Sequence, residues 1–138
     1  MNQEEFKQKI KDILDSNPIG TLSTISGNKP HSRYMSFQRE GITLFTATSK
    51  QTHKVEEIQE NPNVHVLLGY EDWNDPYIEL QGTVTVRDGK ELKEEFWHDM
   101  MKHWFSGPED PNYIILEIKP SVYRLMNSKE REPVEMKL

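Results

Sequence analysis

The hydrophobic positions at the start of the chain repeat with the spacing of a helix. One face of residues 3–16 is apolar, and lysines occupy the other faces. The apolar residues of that face are Phe6, Ile10, Ile13 and Leu14. This spacing predicts an amphipathic helix that packs on a sheet, and the Ser-Asn-Pro sequence that follows ends it.

Alternating side chains then indicate strands. Residues 19–25 alternate apolar side chains with Thr and Ser, GNKP forms a turn, and residues 30–39 continue as a second strand. The two strands are therefore predicted to form a β-hairpin. Because strand side chains alternate, His31, Arg33 and Met35 share one face of the second strand.

Residues 42–70 are predicted to form a strand, a helix and a second strand. A short apolar run around Leu44 makes the first strand. Val55 and Ile58 recur at helical spacing, and the Asn-Pro pair that follows ends this helix. Residues 64–68 then alternate as a half-buried strand does.

The second half of the chain adds a longer strand and another helix. Residues 77–86 alternate as a barrel strand, in which Gly82 indicates a bulge or a close approach of another backbone. Four large apolar side chains predict a helix over residues 90–103 with a core-facing stripe. These side chains are Trp97, Met100, Met101 and Trp104.

The end of the chain completes the predicted barrel. Residues 113–119 and 121–126 form strands that bend at Pro120, and residues 127–138 are expected to be a loosely ordered tail. Six or so strands and three helices without a repeat or a linker predict one domain over residues 1–138, of the α+β class. Its expected architecture is a six-stranded antiparallel Greek-key β-barrel with flanking helices.

Composition and charge narrow the possible functions. The 138 residues carry a formal net charge of −6 and no cysteine. These values argue against non-specific nucleic-acid binding, and they exclude disulfides and thiolate chemistry. His98 and His103 do not share a helical face, so no metal site is expected. No apolar stretch approaches the ~20 residues that span a bilayer and no signal peptide is recognisable, so we expect a cytoplasmic protein without a membrane segment.

The first turn of the middle helix is a candidate anion site. It carries His53 and Lys54, although the helix macrodipole disfavours cations there by ~0.3–1 kcal/mol each. A bound phosphate could accept from free backbone N–H groups, from the hydroxyl of Ser49 or Thr52 and from Lys54, with Arg33 as a bidentate clamp opposite. The alternatives are a solvated lysine, plain helix caps and an arginine at the barrel rim.

Several segments together carry a family resemblance. They are HSRYMSF, TATSKQTHKVEEIQENPNV with Lys54 eight residues before Pro62, QGTV, and WFSGPEDPNYIILEIKP. The chain resembles the pyridoxamine-phosphate-oxidase-like flavin proteins of the split-barrel fold, in the general stress protein 26 branch. In that family FMN lies at a homodimer interface, so the resemblance implies an FMN-binding homodimer. The cofactor contacts that it implies are Arg33, Tyr34, Met35, Ser36, Ala47, Thr48, His53 and Lys54.

The same resemblance implies a difference in activity. At the end of the flavin strand the true oxidases carry a substrate-binding Lys, whereas this chain has Gln38. A phosphorylated pyridine needs a cationic clamp of its own, so oxidation of vitamin B6 phosphates is not expected. Three hypotheses remain: a flavin oxidoreductase of the stress response with a nicotinamide donor such as NAD(P)H, a non-catalytic flavin-binding or storage protein, and a barrel that holds haem or a deazaflavin. The sequence names no substrate.

Overall fold

A computed structural model describes residues 1–129 and 132–138, which form three α-helices, one 3₁₀ helix and eight strands. The helices are α1 (Gln3–Ser16), α2 (His53–Glu60), α3 (Lys90–Glu95) and the 3₁₀ helix Asp99–His103. The strands are β1 (Ile19–Ser26), β2 (Lys29–Ser36), β3 (Gln38–Glu40), β4 (Thr43–Ser49), β5 (Asn63–Gly69), β6 (Tyr77–Arg87), β7 (Tyr113–Met126) and β8 (Val134–Lys137). None of the helices in this part of the chain is long and apolar enough to cross a membrane.

One antiparallel sheet contains all eight strands, and it curls into a split barrel. Its strand order is β2-β1-β5-β6-β7-β4-β3, and β8 pairs with β7. The larger core cluster includes the apolar face of α1, buried as predicted, together with inward side chains of the strands. The predicted α+β antiparallel barrel with flanking helices is thus confirmed, as is the hairpin of β1 and β2.

The predicted number of six strands is wrong, because the described residues contain eight. β3 is a separate strand of three residues beyond Phe37, which is buried between it and β2. β8 lies within residues 127–138, where a loosely ordered tail was expected; Val134–Lys137 pair with the C-terminal half of β7 instead. A short strand with one buried side chain, Met136, carries too little periodicity to be recognised in the sequence.

The predicted helix over residues 90–103 is also wrong, since α3 ends at Glu95 and a 3₁₀ helix begins at Asp99. Phe96 stacks on Phe45 with ring centroids 4.5 Å apart, and Trp97 meets Tyr113 edge-on at 5.6 Å. α3 therefore ends before both rings, with Phe96 at its C-cap and Trp97 in the segment that leads to the 3₁₀ helix.

The four residues of the predicted core-facing stripe are separated by this break. Met101 is buried in a second apolar cluster with Phe45 and Phe105, and Trp97 is half-buried. Met100 and Trp104, however, are 65% and 73% exposed. The four residues therefore do not form a core face, because Met100 and Trp104 lie at the surface.

Gly82 occupies the bulge that its position predicts, at a register shift in the pairing of β6 with β7. Pro120 lies opposite it and has no N–H to donate to the ladder. A Cβ atom at position 82 would lie 2.3 Å from the carbonyl oxygen of Lys119. The two backbones are therefore so close at this point that only glycine fits.

We predict that Gly82→Ala lowers the free energy of unfolding by about 2 kcal/mol, because the added methyl group overpacks a backbone that cannot retreat. Urea titration followed by far-UV circular dichroism measures the change. Gly89→Ala is the control, since a Cβ at Gly89 would meet no atom within 4 Å. An equal loss in both variants would contradict the steric explanation.

Candidate functional site

A cavity of 680 Å³ lies between the ends of β1 and β2, the strand β4, and the segment that joins α3 to β7. This volume falls in the range of cofactor and small-molecule sites. Its lining residues are Ile19, Tyr34, Met35, Ser36, Gln38, Phe45, Thr46, Ala47, Thr48, Ser49, Thr52, Phe96, His98, Met100, Met101, Trp104, Phe105 and Ile115. The sheet thus forms one wall, and the segment after α3 forms the opposite wall.

Five of the eight residues proposed from the sequence line this cavity: Tyr34, Met35, Ser36, Ala47 and Thr48. The other three, Arg33, His53 and Lys54, lie outside the lining. The His53 side chain is 97% exposed, and its nearest charged partner is Glu56 at 3.9 Å. Its predicted contact with a cofactor stays a prediction.

Lys54 links helix α2 to the cavity. Its Nζ donates to Thr48 Oγ1 at 2.9 Å, and Thr48 belongs to the lining. Burial and the positive charge of Arg33 lower the pKa of Lys54 below its ordinary value of 10.5, which the carboxylate of Glu57 partly offsets. The positive charges of Lys54 and Arg33 therefore repel each other in a partly desolvated place, where an anion in addition to Glu57 would relieve the repulsion.

The N-terminus of α2 is close to the same hydroxyl-rich end of the cavity. Thr52 is the N-cap residue by position, but its side chain makes no capping hydrogen bond and donates to the Ser49 carbonyl at 3.0 Å. Ser49 Oγ accepts from the Gln51 N–H at 3.3 Å. Neither hydroxyl therefore caps the helix, so no side-chain cap competes with an external acceptor for its first N–H groups.

Arg33 belongs to a hydrogen-bonded cluster that also contains Thr24, His31 and Glu57. Its Nη1 donates to Thr24 Oγ1 at 2.8 Å, and its Nη2 donates to Glu57 Oε2 at 3.3 Å. Thr24 Oγ1 donates to the same carboxylate oxygen at 2.5 Å, and His31 Nδ1 lies 2.9 Å from Glu57 Oε1. The cluster joins β1 and β2 to α2, the helix whose first turn is the candidate anion site.

Glu57 was not among the site residues predicted from the sequence. The residue is only 8% exposed, and the Thr24 hydroxyl, with His31 and Arg33, holds the pKa of its carboxyl below the ordinary 4.5. Glu57 follows Lys54 by three positions and so shares its helix face. That spacing was the available signal, but its partners on β1 and β2 are distant in sequence.

We predict that Glu57→Gln lowers the free energy of unfolding at pH 7 by about 1.5 kcal/mol, the scale of a hydrogen bond to a charged group. Since the folded-state pKa lies below 4.5, the stabilising contribution is present above that pH and is lost as the pH falls through the folded-state value. Urea unfolding from pH 7 down to pH 3 should therefore show the difference between wild type and variant shrinking in acid. A constant difference would contradict this role of the carboxylate.

The opposite end of the cavity is aromatic and apolar. Phe45, Phe96 and Phe105 form its wall, and Gln38 Nε2 donates to the Phe96 carbonyl at 3.1 Å. The side chains of Trp104 and Met100 lie at the mouth. This wall was not predicted from the sequence, since Met100, Met101 and Trp104 were expected in the core and Phe96 and Phe105 were given no role.

Comparisons with known proteins agree with this architecture. The family model described as Pyridoxamine 5'-phosphate oxidase matches residues 6–127. General stress protein 26 of Bacillus subtilis (strain 168) is 49% identical over 140 residues, which cover the full length of both chains. The crystal structure of General Stress Protein 26 from Bacillus anthracis str. Sterne has a TM-score of 0.88 at 37% identity, with 97% of this chain and 99% of that chain covered. A putative pyridoxamine 5'-phosphate oxidase from Listeria innocua has a TM-score of 0.82 at 35% identity, with 89% and 99% covered.

Proposed function

We propose, for a chain that belongs to the pyridoxamine 5'-phosphate oxidase family and resembles its general stress proteins, that the cavity beside Lys54 binds FMN. The loaded protein is then a flavin-dependent oxidoreductase of the stress response, with a substrate other than a vitamin B6 phosphate. The observation that carries the proposal is the cavity itself: one end has hydroxyls and two nearby cations, and the other end is aromatic.

The donors at the polar end suit a terminal phosphate monoester. Lys54, Arg33, the hydroxyls of Thr48 and Ser49 and the uncapped start of α2 would share its oxygens. A pyrophosphate, as in FAD, would need the cations to be spread along the cavity. We therefore expect FMN to bind and FAD to bind poorly.

The rest of the cavity suits a flat heteroaromatic ring. Phe45, Phe96 and Trp104 offer aromatic surface, and the β2 residues Tyr34 to Ser36 offer an extended backbone along the other side. When bound, FMN supplies the transfer of hydride or single electrons. The residues of the chain orient the ring, exclude water from it and compensate the charge of its phosphate.

Absorption spectroscopy and titration test the proposal. Purified protein is titrated with FMN, FAD, riboflavin and haemin, and the FMN-loaded form is mixed with NADH or NADPH under air. We expect a flavin spectrum, flavin fluorescence that is quenched at lower concentrations of FMN than of riboflavin or FAD, and oxidation of the nicotinamide. Tight haemin binding without flavin binding would overturn the assignment, and FMN binding without nicotinamide oxidation would identify a non-catalytic flavin-binding protein.

We predict that the protein is a homodimer whose interface covers the cavity mouth. Four large apolar side chains of the lining are exposed there, at 62% for Ile19, 78% for Tyr34, 65% for Met100 and 73% for Trp104. An apolar patch of this kind is typical of an interface. Light scattering at micromolar concentration should give twice the 16.3 kDa of the chain.

Charge substitutions provide the control for this prediction. Trp104→Glu should shift the equilibrium toward the monomer, because it places an unpaired charge in the apolar interface. Trp73→Glu should not, since Trp73 is 78% exposed but is not part of the cavity lining. A monomeric wild-type protein would contradict the prediction.

A further inference from the structure

The guanidinium of Arg33 forms hydrogen bonds along one side only. Within the described residues its Nη1 donates to Thr24 Oγ1 at 2.8 Å and to the Leu22 carbonyl at 3.3 Å, and its Nη2 donates to Glu57 at 3.3 Å. Its Nε makes no hydrogen bond in that part of the chain. An arginine has five N–H donors in a fixed plane, so the edge formed by Nε and the second Nη2 hydrogen is left available for a bidentate acceptor.

Thr24 contacts both charged groups of this arrangement. Its side chain is fully buried, and its hydroxyl accepts from Arg33 while it donates to Glu57 at 2.5 Å. A hydroxyl is the side-chain group that can do both at once in so small a space. Thr24 therefore couples the arginine to the carboxylate, and the carboxylate is held in turn by His31 at 2.9 Å.

The guanidinium contacts Glu57 at 3.3 Å, and Glu57 lies three positions after a second cation, Lys54, on the same face of α2. The positive charge of Arg33 contributes to the lowered pKa of Lys54, and Lys54 donates to Thr48 of the cavity lining. Without a restraint, the repulsion between two cations and the solvation of a 25% exposed side chain would favour an arginine turned toward water. The cluster opposes this movement.

We propose that Thr24 and Glu57 are positioning residues for the phosphate of the cofactor: they hold Arg33 next to Lys54 with its Nε edge open to the phosphate. The inference rests on the proposed function, because it assumes that FMN is the ligand. Neither residue touches the ligand. Both act through Arg33, and they fix its orientation before the phosphate arrives, which lowers the entropic cost of binding.

The test compares FMN with riboflavin, which has the same ring without the phosphate. Thr24→Val keeps the shape and the net charge but removes the hydroxyl, and Thr24→Ser restores the hydroxyl. We expect Thr24→Val to weaken FMN about tenfold, the scale of a lost charge-assisted hydrogen bond, and to leave riboflavin unchanged. Thr24→Ser should recover most of the FMN affinity. In an Arg33→Ala background, Thr24→Val should have no further effect on FMN.

The outcomes distinguish a positioning role of Thr24 from a purely structural role, and both of these from a protein that binds no FMN. Equal losses of FMN and riboflavin affinity in Thr24→Val, or no loss at all, would overturn the inference while the proposed function stands. If Thr24→Val does not fold, Thr24→Ala removes the same hydroxyl without adding a methyl group. Failure of both variants to fold would show that the cluster serves stability, and would overturn the inference. Wild-type protein that binds no FMN would overturn the proposed function, and the inference with it.

Discussion

Protein loaded with FMN is expected to oxidise neither pyridoxine phosphate nor pyridoxamine phosphate at a useful rate. Gln38 presents a neutral amide to the cavity, and the N–H of this amide donates to the Phe96 carbonyl. Gln38 therefore offers no cation to a substrate phosphate. Loss of a charge-assisted contact costs about 1.5–3 kcal/mol, or roughly ten- to a hundredfold in binding. A substrate without this anchor is also misplaced, and a displacement of ~1 Å can cost about a hundredfold in rate.

Hydrogen peroxide release under air measures this activity. The flavin content of the same preparation, determined after heat release of the cofactor, is the control that excludes an empty protein. Oxidation of NADH or NADPH by that preparation would further show that its flavin is competent. Rapid peroxide production from pyridoxamine phosphate would prove that the missing cation is not needed.

Replacement of Lys54 by alanine is expected to weaken FMN by about 1.5–3 kcal/mol, because it removes a charge-assisted hydrogen bond to the phosphate. Flavin fluorescence titration measures the affinity. Lys50→Ala is the matched control: Lys50 is an exposed lysine four positions earlier, and its removal changes the net charge equally. Equal effects of the two substitutions would indicate a general electrostatic attraction, and an unchanged affinity in Lys54→Ala would exclude Lys54 from the site.

Arg33→Ala should weaken FMN by a similar amount. The double variant Arg33→Ala, Lys54→Ala should lose less than the sum, because both side chains are proposed to bind one phosphate and are already coupled through their charges. Riboflavin should bind equally to all of these variants. Strict additivity would place the two residues at separate sites.

Much of the fold was predictable because local patterns determine it. The apolar face of α1 and the alternation in β1, β5 and β6 each follow from contacts that repeat within one element. Gly82 was recognisable because a glycine inside a strand usually marks a bulge or a close approach of two backbones. The break after α3 was not predictable, since periodicity identifies apolar side chains but does not identify what covers them. Trp104 fits the helical spacing and still lies at the surface.

The candidate site was predictable in part for the same reason. Lys54 could be proposed because a cation in the first turn of a helix conflicts with a local rule. The contacts of Arg33 with Thr24 and Glu57 depend on a register between β1 and β2 and on the packing of α2 against them, which no local pattern contains. An acid on a short helix is usually solvated, so the burial of Glu57 had to come from the structure.

Strand β7 has a consequence for the order in which the chain can fold. It pairs with β6 on one side and with β4 and β8 on the other, so within the described residues the strand pairing of β3 and β4 with the rest of the sheet runs through it. During synthesis, β4 is complete at residue 49, but its partner begins at residue 113. Pairings so distant in sequence form slowly, and unpaired apolar strands aggregate. A nascent chain shorter than about 113 residues therefore exposes Leu44 and Phe45. A chaperone that binds apolar segments is expected to bind this part of the nascent chain.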